Sequence, residues 1–200
     1  MIFRLIEHLQ LAFYSLILAL AVGILIGIFI SKYTKLAIPI ISVAGILDTI
    51  PSLAILSVLI PLVGIGKPPA IITLFLYSLM PIIRNTYVGI REINPAIIEA
   101  AEGMGMTEMQ ILIKVRLPLA LPVIMAGIRT TATFNIGITA LAAVVGAGGL
   151  GTFIWTGLML MDYDLMLIGA LTTSILAIVT DAGLGLIERR IKKRVTGRGG

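Results

Sequence analysis

Few side chains in this chain of 200 residues could do chemistry, and each group narrows the function. There is no cysteine and a single histidine, so disulfides, thiolate metal sites and Cys–His catalysis are excluded. His8 stands near the start and is expected at a membrane interface rather than as a ligand. Gly146, Gly148 and Gly151 satisfy G-x-G-x-x-G. A dinucleotide site also needs a preceding strand and an acidic residue about twenty positions on. Here Ala142-Ala143-Val144-Val145 ends an apolar run, so these glycines are expected to break a helix near a membrane face, where irregular backbone survives if protein covers it or water reaches it. Gly66-Lys67 is followed by Pro68 and not by Ser or Thr, so no P-loop exists for ATP. There is no G-x-S-x-G nucleophile either, and an embedded enzyme is disfavoured. No metal or cofactor is expected.

What remains is a polar connection between apolar stretches and a few charges in apolar surroundings. The connection carries Glu99-Ala100-Ala101, then Gly105, then Val115-Arg116-Leu117-Pro118. Asn94-Pro95 is a helix start, with a capping side chain and a proline at the first helical position. Pro95 to Glu102 then forms a short helix, and Gly103 and Gly105 permit a sharp turn. Thr107-Glu108-Met109-Gln110 is a capping box that opens a second helix. That helix is expected to end before Leu117-Pro118, because proline lacks an N–H and disfavours helix in the residue before it. Ala100 and Ala101 are small enough for close approach to a partner. Glu99 offers a carboxylate to a basic group or a backbone N–H.

The elements that must hold these residues are membrane helices. The chain is 58% apolar and 12% charged, with a mean hydropathy of +1.11. Stretches of about 20 mostly apolar residues are long enough to cross a bilayer. Five spans are expected, near 11–31, 38–62, 69–90, 123–144 and 165–187, in one transmembrane domain covering 1–200 with a connecting loop at 91–118. The first is too long for a signal-peptide core and no small-residue cleavage site precedes Lys32. Residues 152–160 are too short to cross, and 144–164 forms a partial helix or a loop. Lys32 and Lys35, then Arg91, Lys114 and Arg116, then Arg189, Arg190, Lys192, Lys193, Arg194 and Arg198 lie in alternate connections, which places those connections in the cytoplasm, the N-terminus outside and the C-terminus inside. Arg4, Lys67, Asp162 and Asp164 fall on the other side. The net charge of +5 needs no nucleic acid, since six basic residues form one juxtamembrane tail. That tail is a topology signal and can also hold anionic lipid head groups.

Charges inside the spans need partners or cavities. Arg129 lies six residues inside the entry at Val123, and Asp181 six residues inside the exit at Ile187. Both therefore sit about 9 Å below the cytoplasmic face and are expected to form a buried pair, with Arg84 as a competitor. Gly23 and Gly27 form G-x-x-x-G in the first span, either a close helix contact or two unconnected small residues.

The spacing of Glu99-Ala100-Ala101, Gly105 and Val115-x-Leu117-Pro118 resembles the cytoplasmic EAA loop of ABC-importer permeases, and every defined position is filled. Asp48-Thr49-Ile50-Pro51-Ser52-Leu53-Ala54, Pro81 to Tyr87, Leu119 to Ile124 and Gly146 to Gly151 are similar to permeases for osmoprotectants such as glycine betaine, carnitine and choline; the last is also like methionine permeases. The resemblance covers nearly the whole chain. It implies an all-α polytopic protein of the type I importer, methionine permease-like fold in a prokaryotic inner membrane. It implies cytoplasmic ABC ATPase subunits docked on the loop, a second permease subunit, identical or related, and an extracytoplasmic binding protein. The expected cargo is a quaternary amine, with methionine or another amino acid as the alternative.

A pathway is expected near Asp48, Thr49, Ser52, Tyr77, Thr133 and Asn135. Asp48 could attract a trimethylammonium head beside the aromatic faces of Phe75, Tyr77 or Phe134. The simpler reading has it cap the helix broken by Pro51. A secondary transporter would need internal repeats or a relay of ionisable residues, and neither is visible.

Overall fold

The computed structural model describes residues 1–197. Arg198 of the basic tail lies outside the described residues. Among the described residues all regular structure is helical. The first helix, α1 (Ile2–Lys32), buries His8, Leu11, Ala12, Ser15, Ala19, Gly23, Gly27 and Ile30. Those positions recur every three or four residues and trace one face of the helix. Most are small, so α1 lies against α4 (Lys67–Arg91) almost backbone to backbone. A Cβ at Gly23 would stand 2.8 Å from Ile82 Cγ2, and one at Gly27 would stand 2.5 Å from Thr86 Cβ. The G-x-x-x-G is thus a helix contact within the chain.

The second span is not straight. It divides into α2 (Ala37–Thr49) and α3 (Ser52–Val63), bent by 92° where they meet. Pro51 cannot donate to the helix ladder and forces Ile50 into an extended conformation with ψ 129°. Among the described residues four helices are long and apolar enough to cross a membrane, and five if this bent pair counts as one span.

Helix α4 is the most enclosed of these, packed by α1 on one side and α7 on another. It leads to α5 (Pro95–Gly103) and to α6 (Glu108–Ile111), which the chain does not leave before Leu117-Pro118 as expected. A π turn, Leu112–Arg116, joins α6 directly to α7 (Leu117–Thr139). The Leu117 N–H donates to Leu112 O, five residues back. This widened turn shifts the ladder by one residue, and Pro118 falls in the first turn of α7, where a missing N–H costs little.

Helix α7 tightens into a 3-10 turn, Ala140–Val145, and then into glycines with φ of +72° at Gly146, +84° at Gly148 and +83° at Gly149. Residues 152–160 lie in a ten-residue helix, α8 (Gly151–Leu160), followed by α9 (Tyr163–Thr196). Asp162 caps α9 by accepting from the Leu165 N–H at 3.0 Å. These two helices double back on each other through glycines: a Cβ at Gly157 would meet Met166 at 2.7 Å, and one at Gly169 would meet Ile154 at 2.7 Å. Helix α9 also packs on α7 and carries Arg189 to Arg194 as a continuation of the same helix.

Candidate functional site

The loop between α4 and α7 is built from local rules. Asn94 Oδ1 accepts the Ala96 N–H at 3.0 Å, the N-cap bond that starts α5. Thr107 and Gln110 form the reciprocal capping box, with the Thr107 N–H donating to Gln110 Oε1 at 2.9 Å and the Gln110 N–H to Thr107 Oγ1 at 3.4 Å. Between them Gly105 takes φ +77°, and its N–H donates to Glu102 O at 2.9 Å. Glu99, Ala100 and Ile97 are exposed on α5, and so is Met104 just past its end. Ala101 is different: it is 2% exposed, and its carbonyl accepts the Met106 N–H at 3.2 Å. Of the two alanines, Ala100 faces outward, and Ala101 lets the turn close over α5. Val115, Leu117 and Pro118 lie past the turn, with Val115 in the π turn and the other two opening α7.

The loop is moored to the end of α1. Lys32 Nζ donates to Glu108 Oε2 at 3.1 Å, and a groove between them is lined by Phe29, Tyr33, Arg91, Met109 and Arg116. Both members of this pair are exposed, so its contribution to stability is small.

The residues expected along a pathway fall in three places. At the α2–α3 break, Asp48 and Thr49 are exposed, and Tyr77, 6% exposed, reaches across from α4. The Tyr77 hydroxyl donates to Ile50 O, and Ser52 and Asp48 stand beside it. Thr49 donates to Ile46 O at 2.7 Å. The Tyr77 hydroxyl thus satisfies a carbonyl at the break, while the expected Asp48 cap of the amides is not formed: the start of α3 has no side-chain cap bond.

Thr133 belongs to a second place. Its hydroxyl donates to Arg129 O at 3.0 Å and to Asp181 Oδ1 at 3.4 Å. Arg129 grips Asp181 with both prongs, Nε to Oδ1 at 2.7 Å and Nη2 to Oδ2 at 2.6 Å, and adds Glu188 through Nη1 at 3.1 Å. The pair expected from equal depth is present but only partly buried, its side chains 32% and 40% exposed, and Arg84 is not among its partners. Glu188 was not anticipated, although a spacing of seven from Asp181 places it two turns on along the same face of α9. Gly185 between them opens the space: a Cβ there would touch the Arg129 guanidinium at 3.0 Å.

Asn135 is the third place. It is 2% exposed, and its Nδ2 donates to Ser15 Oγ at 2.9 Å and to Ala12 O at 3.3 Å, tying α7 to α1. His8 lies on that same α1 face and is fully buried, so it is not an interfacial side chain. The stripe of small residues at 12, 15, 19, 23 and 27 continues back to position 8, which is the signal that could have placed it inside.

Residues 11–193 match the family described as binding-protein-dependent transport system inner membrane component. The chain is 45% identical over 185 residues to the carnitine transport permease protein OpuCB of Listeria monocytogenes, covering 92% of this chain and 85% of that one. It is 44% identical over 191 residues to the choline transport system permease protein OpuBB of Bacillus subtilis, covering 96% and 88%. Its fold is similar to a chain of the MetNI methionine ABC transporter in an inward-facing conformation, with a TM-score of 0.84 and 27% identity over 95% of each chain. A helical chain with four or five spans, a glycine-hinged helix exposed between two of them and likeness of this extent belongs to the family of binding-protein-dependent transport system inner membrane components.

Proposed function

We propose that the chain is the transmembrane subunit of an ATP-driven importer of compact quaternary amines such as glycine betaine, carnitine or choline. The observation that carries the cargo class is the likeness, through more than nine-tenths of the chain, to permeases named for carnitine and choline. The α2–α3 break supplies chemistry that suits such a cargo: the exposed Asp48 carboxylate, with Tyr77 beside it, faces a cation that cannot donate a conventional hydrogen bond and is held by charge and aromatic faces. Thr49 and Ser52 border the same break. Thr133 and Asn135 serve the pathway by holding α7 to α9 and to α1. Methionine is the second reading, favoured by the fold likeness to a methionine transporter.

Transport draws on ATP hydrolysed by separate cytoplasmic subunits, because the chain has no P-loop. Glu99, Ala100 and Gly105 present α5 to those subunits, and the continuous rod from α6 through α7 carries their movement into the membrane. One chain of five spans cannot enclose a path, so a second permease subunit closes it. A binding protein delivers cargo at the end holding Arg4, Lys67 and Asp162, and the basic end of α9 lies in the cytoplasm against anionic lipid.

Uptake of labelled glycine betaine, carnitine, choline and methionine by cells carrying the full system tests the cargo. Quaternary-amine uptake that Asp48→Asn reduces is the expected result, and methionine uptake alone overturns it. Purified without its partners, the chain is expected to hydrolyse no ATP above a mock preparation.

A further inference from the structure

Among the buried polar groups, His8 stands out for the two backbone groups it joins. It is 0% exposed, near the start of α1, and both ring nitrogens are used. Nε2 lies 2.9 Å from Ile136 O in α7, and the Leu150 N–H donates to Nδ1 at 3.2 Å. These partners have fixed roles. A carbonyl only accepts and an amide N–H only donates, so Nε2 carries the proton and Nδ1 does not. The ring is neutral, in one tautomer.

Both partners are backbone groups left over by helix ends. At Ala140 the α7 ladder tightens and the Ala140 N–H turns to Gly137 O, which releases Ile136 O from its own helix. Leu150 immediately precedes α8, where the first N–H groups have no acceptor within the helix. One imidazole thus staples the end of α7 to the beginning of α8 across the glycine turn. Glu7 reinforces it, accepting the Gly149 N–H at 3.1 Å while paired to Arg4 at 2.8 Å. The turn fits tightly over these side chains: a Cβ at Gly149 would stand 3.2 Å from His8 Nδ1, and one at Gly148 would stand 2.4 Å from Glu7 Oε2.

We infer that His8 is a proton-sensitive positioning residue, whose neutral ring holds the turn from Gly146 to Gly151 in place and whose protonation releases it. The step is a simple proton balance. A second proton on Nδ1 removes the acceptor of the Leu150 N–H, so the released form holds one proton more than the stapled form. The stapled form therefore prevails at neutral pH and is lost as pH falls. Residues 130–151 carry no titratable side chain, so neither α7 beside the ring nor the turn brings a competing charge. The charges nearby are Glu7 on the same helix, Arg4 paired to it, and Lys67 of α4, whose ammonium reaches Gln10 Oε1 at 3.4 Å. Because the turn leads into the α8–α9 hairpin, its release moves that hairpin relative to α1 and slows transport.

That the relevant protons are those outside the cell rests on the proposed topology. The complete transporter in proteoliposomes, with pH set separately on the two sides, tests both ideas. Lowering the outer pH from about 7.5 to 5.5 is expected to slow wild-type uptake about fivefold, the size of one neutral hydrogen bond. His8→Asn should transport more slowly at neutral pH but with a flat profile, and Glu7→Gln should keep the wild-type profile. A wild-type profile that is flat, or one that His8→Asn shares, overturns the inference. A response to inner pH alone, abolished in His8→Asn, supports the staple and overturns the topology. A second measurement does not depend on the variant folding. His8 is the single histidine, so the full chain labelled with 15N-histidine and carrying a histidine-free tag gives one pair of ring nitrogen signals. A neutral ring protonated at Nε2 is expected at pH 7 in a lipid nanodisc. An Nδ1-protonated ring or an imidazolium overturns the inference.

Discussion

Two regions of the molecule turn on glycine for opposite reasons. Gly105 in the loop between α4 and α7 has φ +77°, and nothing lies within 4 Å of where its Cβ would stand. The backbone angle alone calls for glycine there. In the turn before α8, Gly151 has no such angle, yet a Cβ would sit 1.8 Å from Ala140 O. Packing calls for glycine there, and Gly148 is demanded by both angle and space, with Glu7 Oε2 2.4 Å away. The loop is set by bonds that span a few residues, Asn94 to Ala96 and Thr107 to Gln110. The glycine turn is set by side chains from the other end of the chain. A partner docked on the first, as proposed, would leave the membrane domain's packing intact, whereas the second is part of that domain's interior.

The sharpest way to break this contrast is Gly151→Ala. The new methyl meets a backbone carbonyl that cannot rotate away, a clash costing about 3 kcal/mol or more. Loss of most folded chain from the membrane, read by size-exclusion of solubilised protein, is the expected outcome. Wild-type levels would mean that the turn is as free of tertiary demand as the loop.

Next in size is the ion pair of α7 and α9. Arg129→Ala strands Asp181 and Glu188, and Asp181→Ala leaves the guanidinium with Glu188 alone. Each should lower folded yield, and the double change should do less harm than the sum of the two, because Arg129 and Asp181 leave together and only Glu188 then lacks its partner. Strict additivity in the same yield measurement counts against coupling. Glu188→Gln should be milder than either single change.

Gly105→Val should leave insertion untouched and weaken capture of the ATPase subunit. A β-branched side chain at positive φ costs on the order of 1 kcal/mol or more, while Gly105→Asn should be better tolerated because asparagine enters that region readily. Membrane level against ATPase pull-down separates the two outcomes. The smallest effect is expected from Glu99→Ala, a loss of docking with no change in membrane level, since the side chain is exposed and bonded to nothing that holds the fold.

How much could be read beforehand follows from the same contrast. The α5 cap, the capping box, the Gly105 turn and the depth match of Arg129 with Asp181 were all legible, because each follows from residues on one or two helices counted along their own axes. Pro118 misled because proline's cost depends on where it falls in the ladder, and the π turn placed it where no donor was needed. Asp48 misled because the break is held from a neighbouring helix: Tyr77, 27 residues from Ile50, satisfies its carbonyl, and no side chain caps the start of α3. Glu188 and His8 were readable only as positions on a face, not as partners.

The sequence by itself determined the apolar spans, their caps and breaks, and the glycine-hinged loop, because hydrophobic burial in lipid and backbone hydrogen bonding within a helix act over fewer than about twenty neighbouring residues. Only the tertiary structure decided how sharply α2 meets α3, which carbonyl Tyr77 satisfies, and that His8 and Glu7 bind amides 142 residues away. Those bonds depend on helices brought together by close glycine contacts, and a contact of that kind is fixed by two surfaces at once, which no single stretch of sequence contains.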